Sequence, residues 1–168
     1  TSDKSIYNKL QLLRNHGQLT KSNIVLYGYN SRLDNLQAAI LLYRLSKFDD
    51  ELIRRREIAK SYIRGLDHLS SIKLPSYDEN NRKDVFSSFV ILAENRDKLK
   101  DFLIENSIEV AIHWETPSHK QKALEFDKFK LDNTELYSKN ILSLPIHPYL
   151  KKEQLKLVIC KINEFYED

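Results

Sequence analysis

Gly28-Tyr29-Asn30-Ser31-Arg32-Leu33-Asp34-Asn35-Leu36-Gln37-Ala38-Ala39-Ile40-Leu41 is the stretch on which the reading of this chain turns. A glycine followed closely by Asn and Ser makes a turn. Asn30 or Ser31 is placed to cap the helix that follows, because a short side-chain oxygen there accepts from the first unpaired backbone N–H groups. Beyond it, no Pro or Gly interrupts the chain from Leu33 until Gly65, which predicts one helix running to about Leu66. At 1.5 Å per residue that helix is about 50 Å long, more than a compact domain of this size needs. Its first half, with Leu36, Ala38, Ala39, Ile40, Leu41, Leu42 and Tyr43, has almost no polar face and demands burial on all sides. Its second half is amphipathic, with Leu52, Ile53, Ile58, Ala59, Tyr62 and Ile63 opposing Arg54, Arg55, Arg56 and Glu57. A helix buried all round at one end needs neighbours that the rest of this sequence barely supplies.

Working back towards Thr1, Ile6, Tyr7, Leu10 and Leu13 recur at helical spacing, with Ser2 as cap and Gly17 as a left-handed stop. A polar connector, Gln18 to Asn23, and a short apolar stretch, Ile24 to Tyr27, lead into the turn. In the other direction lies a small α+β unit. Its expected strands are Ile72 to Leu74, Val85 to Leu92 and the alternating Ile108 to Ile112; between the first two lies a charged loop, Ser76 to Asp84. Its expected helices start at Asn95 or Asp97, cover Lys120 to Phe129 and Asn133 to Lys139, and end with Lys152 to Tyr166. Leu142 to Pro148 is extended, since each Pro disfavours helix in the residue before it.

The chain has 168 residues, 41% hydrophobic and 30% charged, with 3 Gly and 4 Pro, which describes an ordinary globular domain and excludes disordered or collagen-like classes. With glycines only at 17, 28 and 65, neither a P-loop nor a GxGxxG phosphate fingerprint can be written. A net charge of +3 says little about partners. Cys160 is the single thiol, so no internal disulfide forms and a reducing compartment is expected. No long uncharged apolar run and no signal-like N-terminus is seen, so no membrane association is expected and the cytoplasm is the default. The chain begins with Thr1 and contains no Met, which leads us to expect a piece of a longer polypeptide.

Few residues suggest chemistry by spacing alone. His16, His68, His113, His119 and His147 include no pair four apart, so no metal is expected. Arg54, Arg55 and Arg56, with Lys60 and Arg64, read either as a nucleic-acid contact or as the solvated face of a helix whose arginines pair with Glu51 and Glu57. The missing ladder of base-stacking aromatics favours the solvated face, and no nucleic-acid partner is expected.

Several segments carry more. GYNSRLDNLQAAIL at 28–41 resembles the equivalent stretch of the DegT/StrS-type sugar aminotransferases, pyridoxal-phosphate enzymes that aminate keto sugars attached to nucleotides. Leu12 to Gly17 (LRNHG from Leu13), RRREIA at 54–59, IEVAIHWETPSH at 108–119 and LPIHP at 144–148 are similar to further segments of that family, in family order across essentially the whole chain. The resemblance implies the C-terminal part of a fold-type I pyridoxal-phosphate transferase, in the α/β class. Residues 1–32 would end the large cofactor domain, 33–68 would form the linker helix, and 69–168 would form the small α+β domain, an antiparallel sheet with helices.

The family's reactive lysine precedes the matching region, so the resemblance assigns no catalytic residue here and implies that the chain alone does not transaminate. Asn30 and Arg32 match positions at the cofactor phosphate, Asn30 reaching it across a homodimer interface; for Arg32 an ion pair with Asp34 or another acid is the competing role. His113, Trp114 and His119 match the loop that borders the nucleotide-sugar pocket, with Trp114 where Tyr is common. The implied reaction takes an amino group from glutamate. The alternatives are a sugar dehydratase of the same superfamily, and a stand-alone helical interaction or nucleic-acid-binding module. If the chain is such a piece, Leu36, Ile40 and Tyr43 stay exposed in it.

Overall fold

The computed structural model describes residues 1–77, 84–126 and 128–167. The chain divides into two compact units, Thr1–Phe48 and Asp49–Asp168.

The first unit is built around a paired turn. Helix α1 (Lys4–Leu13) is capped by Asp3, not Ser2: its Oδ1 accepts from the N–H groups of Ser5 at 2.7 Å and Ile6 at 3.0 Å. Where a connector was expected, β1 (Gln18–Thr20) and β2 (Asn23–Ile24) form a short antiparallel hairpin. The chain then returns along the end of α1. His16 N–H donates to Tyr29 O at 2.9 Å, Tyr29 N–H to Leu13 O at 2.7 Å, and Ser31 N–H to Arg14 O at 2.9 Å. Two glycines permit this closeness. Gly17 has φ +69°, and a Cβ on it would lie 1.7 Å from Leu26 O; one on Gly28 would lie 2.1 Å from the Gly17 nitrogen. The two segments LRNHG and GYNSR, far apart as motifs, are thus one interlocked backbone feature.

Helix α2 (Asn35–Leu45) is capped by Asp34, whose N–H donates to Gln37 Oε1 at 3.4 Å. Asn30 and Ser31 lie upstream and cap nothing. The single helix expected from Leu33 to about Leu66 is two: α2 stops and α3 (Phe48–Leu66) begins after Ser46 and Lys47. Ser46 Oγ donates to Tyr43 O at 2.7 Å and Lys47 N–H to Arg44 O at 3.1 Å, so the last turn tightens and ends. Asp49, Asp50 and Glu51 then populate the first turn of α3, where carboxylates oppose the positive helix end.

The second unit carries the sheet, β3 (Ile72–Lys73), β4 (Phe89–Ala93) and β5 (Ile141–Leu144), antiparallel in that order, with Ile72 opposite Ala93 and Phe89 opposite Leu144. Helices α4 (Arg96–Glu105), α5 (Asp132–Asn140) and α6 (Lys152–Glu167) complete it. Alternation along β4 buries Phe89, Ile91 and Ala93. They pack with Ile58, Tyr62 and Leu66 of α3, Leu99 and Leu103 of α4, Leu142 of β5, and Val158 and Ile162 of α6. Tyr62 Oη donates to Pro145 O at 2.8 Å, and burial pushes its phenol well above the usual range. Tyr166 Oη donates to Glu94 O at 2.6 Å; burial first, and the Glu94 charge second, push it up to about 12.

The α+β class, with its small antiparallel sheet and helices, is as expected; within the second unit three local expectations differ. The strand expected from Val85 begins only at Phe89, because Phe86 takes a left-handed φ of +45° and Ser87 and Ser88 bend. Ile108 to Ile112 makes no strand but a single bridge, Ala111 with Ser143 of β5, after a left-handed Ser107 (φ +61°). Lys120 to Phe129 is not one helix: 3-10 turns cover Ser118–Lys120 and Lys122–Leu124, and Glu125 turns left-handed at φ +52°. Part of the expected charged loop, 78–83, lies outside the described residues, as does Asp127.

Candidate functional site

The interlocked turn of the first unit fixes three polar side chains. Arg32 Nε donates to Asn30 Oδ1 at 3.1 Å and its Nη1 to Asn15 Oδ1 at 3.2 Å. The neighbourhood that holds them is the Asn15–Asn30 backbone bridge, so the two amides are set by main chain before the guanidinium joins them. The Asn30 oxygen is thereby taken by Arg32, and its two N–H donors bond to no group among the described residues. The ion pair weighed for Arg32 against a cofactor role is not formed, since its partners are neutral amides and no carboxylate among the described residues pairs with it. A cation flanked by free amide donors and lacking a counter-charge suits an anion. Asn15 was missed from sequence; it stands in LRNHG, and only the return of the chain shows which side chain it meets.

In the second unit a cleft of about 530 Å³ opens beside β5 and α6. Ser87, Ser88, Ser107, Glu109, His113, Ile146, His147 and Gln154 are among the residues that line it. Trp114 follows His113 with φ +62° and is 80% exposed. A bulky residue held left-handed is strained, and such strain gathers where a side chain must be aimed. His119 is placed differently. It is 5% exposed, and its Nε2 lies 3.1 Å from Oε1 of Glu135 on α5. Glu135 also meets Lys120 Nζ at 3.3 Å, and hydrogen bonding from His119, then Lys120, holds its carboxyl below the ordinary value. His113 and Trp114 therefore face outward from one loop, while His119 fastens that loop to α5.

The arginine run is neither of the things its sequence suggested. Arg54 pairs with Glu57 at 3.0 Å, as a solvated face would, but its Nη2 also donates to Leu150 O at 2.9 Å. Arg55 Nη1 donates to both Phe86 O at 3.1 Å and Ile146 O at 3.0 Å, and Arg56 Nε to Asp84 O at 2.9 Å. All three are half-buried against the backbone of their own unit. Nothing in their spacing signals this, because an arginine that reaches a carbonyl and one that reaches solvent occupy the same helix face. No group of three or more His, Cys, Asp or Glu among the described residues could hold a metal, and no helix among them is long and apolar enough to cross a membrane.

Comparison with known proteins covers nearly all of the chain. Residues 1–163 match the model of the DegT/DnrJ/EryC1/StrS aminotransferase family. The chain is 36% identical to the dTDP-3-amino-3,6-dideoxy-alpha-D-galactopyranose transaminase of Aneurinibacillus thermoaerophilus, over 98% of its own length and 45% of that protein's. It is 34% identical to the dTDP-3-amino-3,4,6-trideoxy-alpha-D-glucose transaminase of Streptomyces venezuelae, over 99% and 45%. In structure it resembles a DegT DnrJ EryC1 StrS aminotransferase from Brucella abortus with a TM-score of 0.88 at 32% identity, covering 100% of this chain and 45% of that one. It also resembles NtdA of Bacillus subtilis, solved with bound cofactor PMP, with a TM-score of 0.91 at 26% identity, covering 100% and 41%. The chain spans about half the length of the curated relatives it matches. A match of this extent places the chain in the DegT/DnrJ/EryC1/StrS aminotransferase family.

Proposed function

We propose that this chain forms the C-terminal part of a pyridoxal-phosphate-dependent transaminase that moves an amino group from glutamate to a keto nucleotide sugar, and that it works as a homodimer. The observation that carries this reading is the Asn15–Arg32–Asn30 cluster, a guanidinium that bonds to two neutral amide oxygens and to no carboxylate among the described residues. Those groups fit a phosphate: the N–H donors of Asn30 supply direction and Arg32 supplies charge. The N-terminus of α2 contributes little, because Asp34 already occupies its cap. Pyridoxal phosphate, when bound, supplies the carbonyl carbon that takes the amino group from one substrate and gives it to the other. Its reactive lysine belongs to a segment outside this chain. Residues 1–32 would serve the cofactor domain, α2 and α3 the linker, and 69–168 the small domain.

Under this reading His113 and Trp114 meet the sugar nucleotide: the imidazole can donate or accept at a hydroxyl, and the indole presents an apolar face to a ring. His119 acts one step removed by holding their loop. Homodimerisation gains support from α2, on which Leu36, Ile40 and Tyr43 are 75%, 53% and 63% exposed.

The test is to express this chain within the polypeptide that reads in frame through it at its native locus, and supply pyridoxal phosphate, glutamate and a keto nucleotide sugar. Amino-sugar product and 2-oxoglutarate are expected in equal amounts, with no turnover by residues 1–168 alone. Arg32→Ala and Asn30→Ala should each weaken cofactor binding about ten-fold or more, as loss of a charge-assisted hydrogen bond predicts. A polypeptide that neither binds the cofactor nor forms the amino sugar would overturn the proposal.

A further inference from the structure

Arg55 does not line the cleft but bonds to backbone beside it. One of its terminal nitrogens, Nη1, donates to Phe86 O at 3.1 Å and to Ile146 O at 3.0 Å. Those carbonyls belong to separate segments. Phe86 precedes Ser87 and Ser88, and Ile146 precedes His147; both segments line the cleft, and the antiparallel pairing of Phe89 with Leu144 sets them side by side. A planar NH2 group has two hydrogens pointing about 120° apart, so a single atom can serve both acceptors only while the two segments keep a fixed separation.

The neighbouring contacts extend the same arrangement. Arg54 Nη2 holds Leu150 O at 2.9 Å and Tyr62 Oη holds Pro145 O at 2.8 Å, so α3 grips the His147 wall at three successive points. Arg56 Nε holds Asp84 O at 2.9 Å, and with Arg55 grips the serine wall at two. That second wall stores strain. Phe86 has φ +45°, a region an aromatic residue rarely enters, and it is kept there by packing on Tyr77 at 5.4 Å and Phe89 at 6.1 Å and by the bond its carbonyl accepts. Released from Arg55, the 84–88 segment has a reason to relax, and the 145–150 segment loses its central tether.

We propose that Arg55 is a positioning residue that fixes the shape of the cleft lined by His113 and His147 by tying two of its lining segments to α3, and so governs how the nucleotide sugar is held. The proposal rests on the reading of His113 as a substrate-facing residue. It assigns to the arginine run a role in specificity that neither charge nor solvation explains. Lysine cannot replace the function fully: its ammonium is a point charge on a shorter stem, without the flat fork that spans two carbonyls.

Two measurements on Arg55→Met and Arg55→Lys decide it. The first is backbone NMR of the 168-residue chain. In Arg55→Met, the amide resonances of Ser87, Ser88, Ile146 and His147 should shift together, while those of α4 and α6 stay in place; Arg55→Lys should recover part of the parent's shifts. A shift in one segment alone, or a uniform change through all helices, would overturn the inference, since either means that Arg55 does not tie the two segments to α3. The second is steady-state kinetics in the complete transaminase. KM for the keto nucleotide sugar should rise about ten-fold with kcat and the KM for glutamate within about three-fold, again partly restored by Lys. Segments that shift with no change in the sugar KM would show a tie without control of binding and would overturn the inference while leaving transamination intact. An unmodified enzyme that makes no amino sugar would defeat the functional reading itself; the NMR result would then stand as a fact of folding, and the role in substrate fit would be withdrawn.

Discussion

The first 48 residues and the 120 that follow use apolar side chains in opposite ways. Among the described residues, every buried hydrophobic side chain lies between Ile58 and Ile162, in the second unit. The first unit is no poorer in such residues, yet Leu36, Leu41, Leu42 and Tyr43 on α2 and Tyr27 before the turn are all exposed. Its order comes instead from backbone: α1, a short hairpin, and two segments pressed together at Gly17 and Gly28. Burial of apolar area stabilises by about 25 cal/mol per Å². A unit that leaves that area in water has it to spend on association, whereas the second unit has already used its own on itself.

The sharpest way to break this contrast is to make the same kind of deletion in both units. Ile91→Ala removes a side chain with no exposed surface from the middle of β4 and should cost about 2–5 kcal/mol, the range for large-to-alanine changes in a packed core. Leu42→Ala on α2 should cost under about 0.5 kcal/mol in the same thermal or denaturant melt, since it removes no core contact. It should instead reduce self-association, readable by sedimentation. Equal losses of stability from the two would mean that α2 is packed in the isolated chain and that the contrast is false.

A smaller and more local effect is expected at Gly28. A Cβ there would meet the Gly17 nitrogen at 2.1 Å, and both partners of that clash are main chain, which cannot turn aside as a side chain could. Gly28→Ala should therefore separate the segments 12–17 and 26–31, with backbone amide shifts at His16, Tyr29 and Ser31 and loss of the protection their hydrogen bonds give. The melt of the second unit should be unchanged. If those three amides keep their protection, the glycines are not what lets the segments approach.

What could be read from sequence, and what could not, follows the same division. The core strand β4, the terminal helix α6 and the α+β class were legible because period-2 and period-3.6 patterns report which side of an element faces a core, and the second unit has one. Even there the reading failed where backbone strain decides: a left-handed Phe86 cuts four residues from the expected strand, and no propensity scale anticipates it. In the first unit, where no core disciplines the pattern, uninterrupted apolar content was extrapolated into one helix. The stop was nevertheless present in Ser46, which can satisfy a carbonyl, followed by Asp49-Asp50-Glu51, the charge signature of a new N-terminus. Candidate site residues divide likewise. Asn30, Arg32, His113, Trp114 and His119 were proposed through the resemblance of their segments. Asn15 and Arg55 were not, because each acts through a backbone or side chain distant in sequence.

The smallest effect expected concerns the loop that carries His113 and Trp114, and it tests whether the second unit's order extends to its surface. His119 and Lys120 hold the Glu135 carboxyl below its ordinary value, so the ionised form is favoured by folding. A carboxylate depressed in this way stabilises the folded state fully above its unfolded value, near 4.3, and the contribution disappears as pH falls through the lower folded one. Glu135→Gln should accordingly be less stable than the parent by a constant margin above about pH 5, and the two curves should converge in acid. In the variant the loop should also loosen at neutral pH, with faster exchange at Lys120 and Gln121, whose amides close the 3-10 turn onto Pro117 and Ser118. A margin that persists unchanged to about pH 2 would mean that the Glu135 charge is not what the variant lost, because a protonated carboxyl and an amide are both neutral, alike in shape, and each offers His119 one carbonyl acceptor and a hydrogen donor.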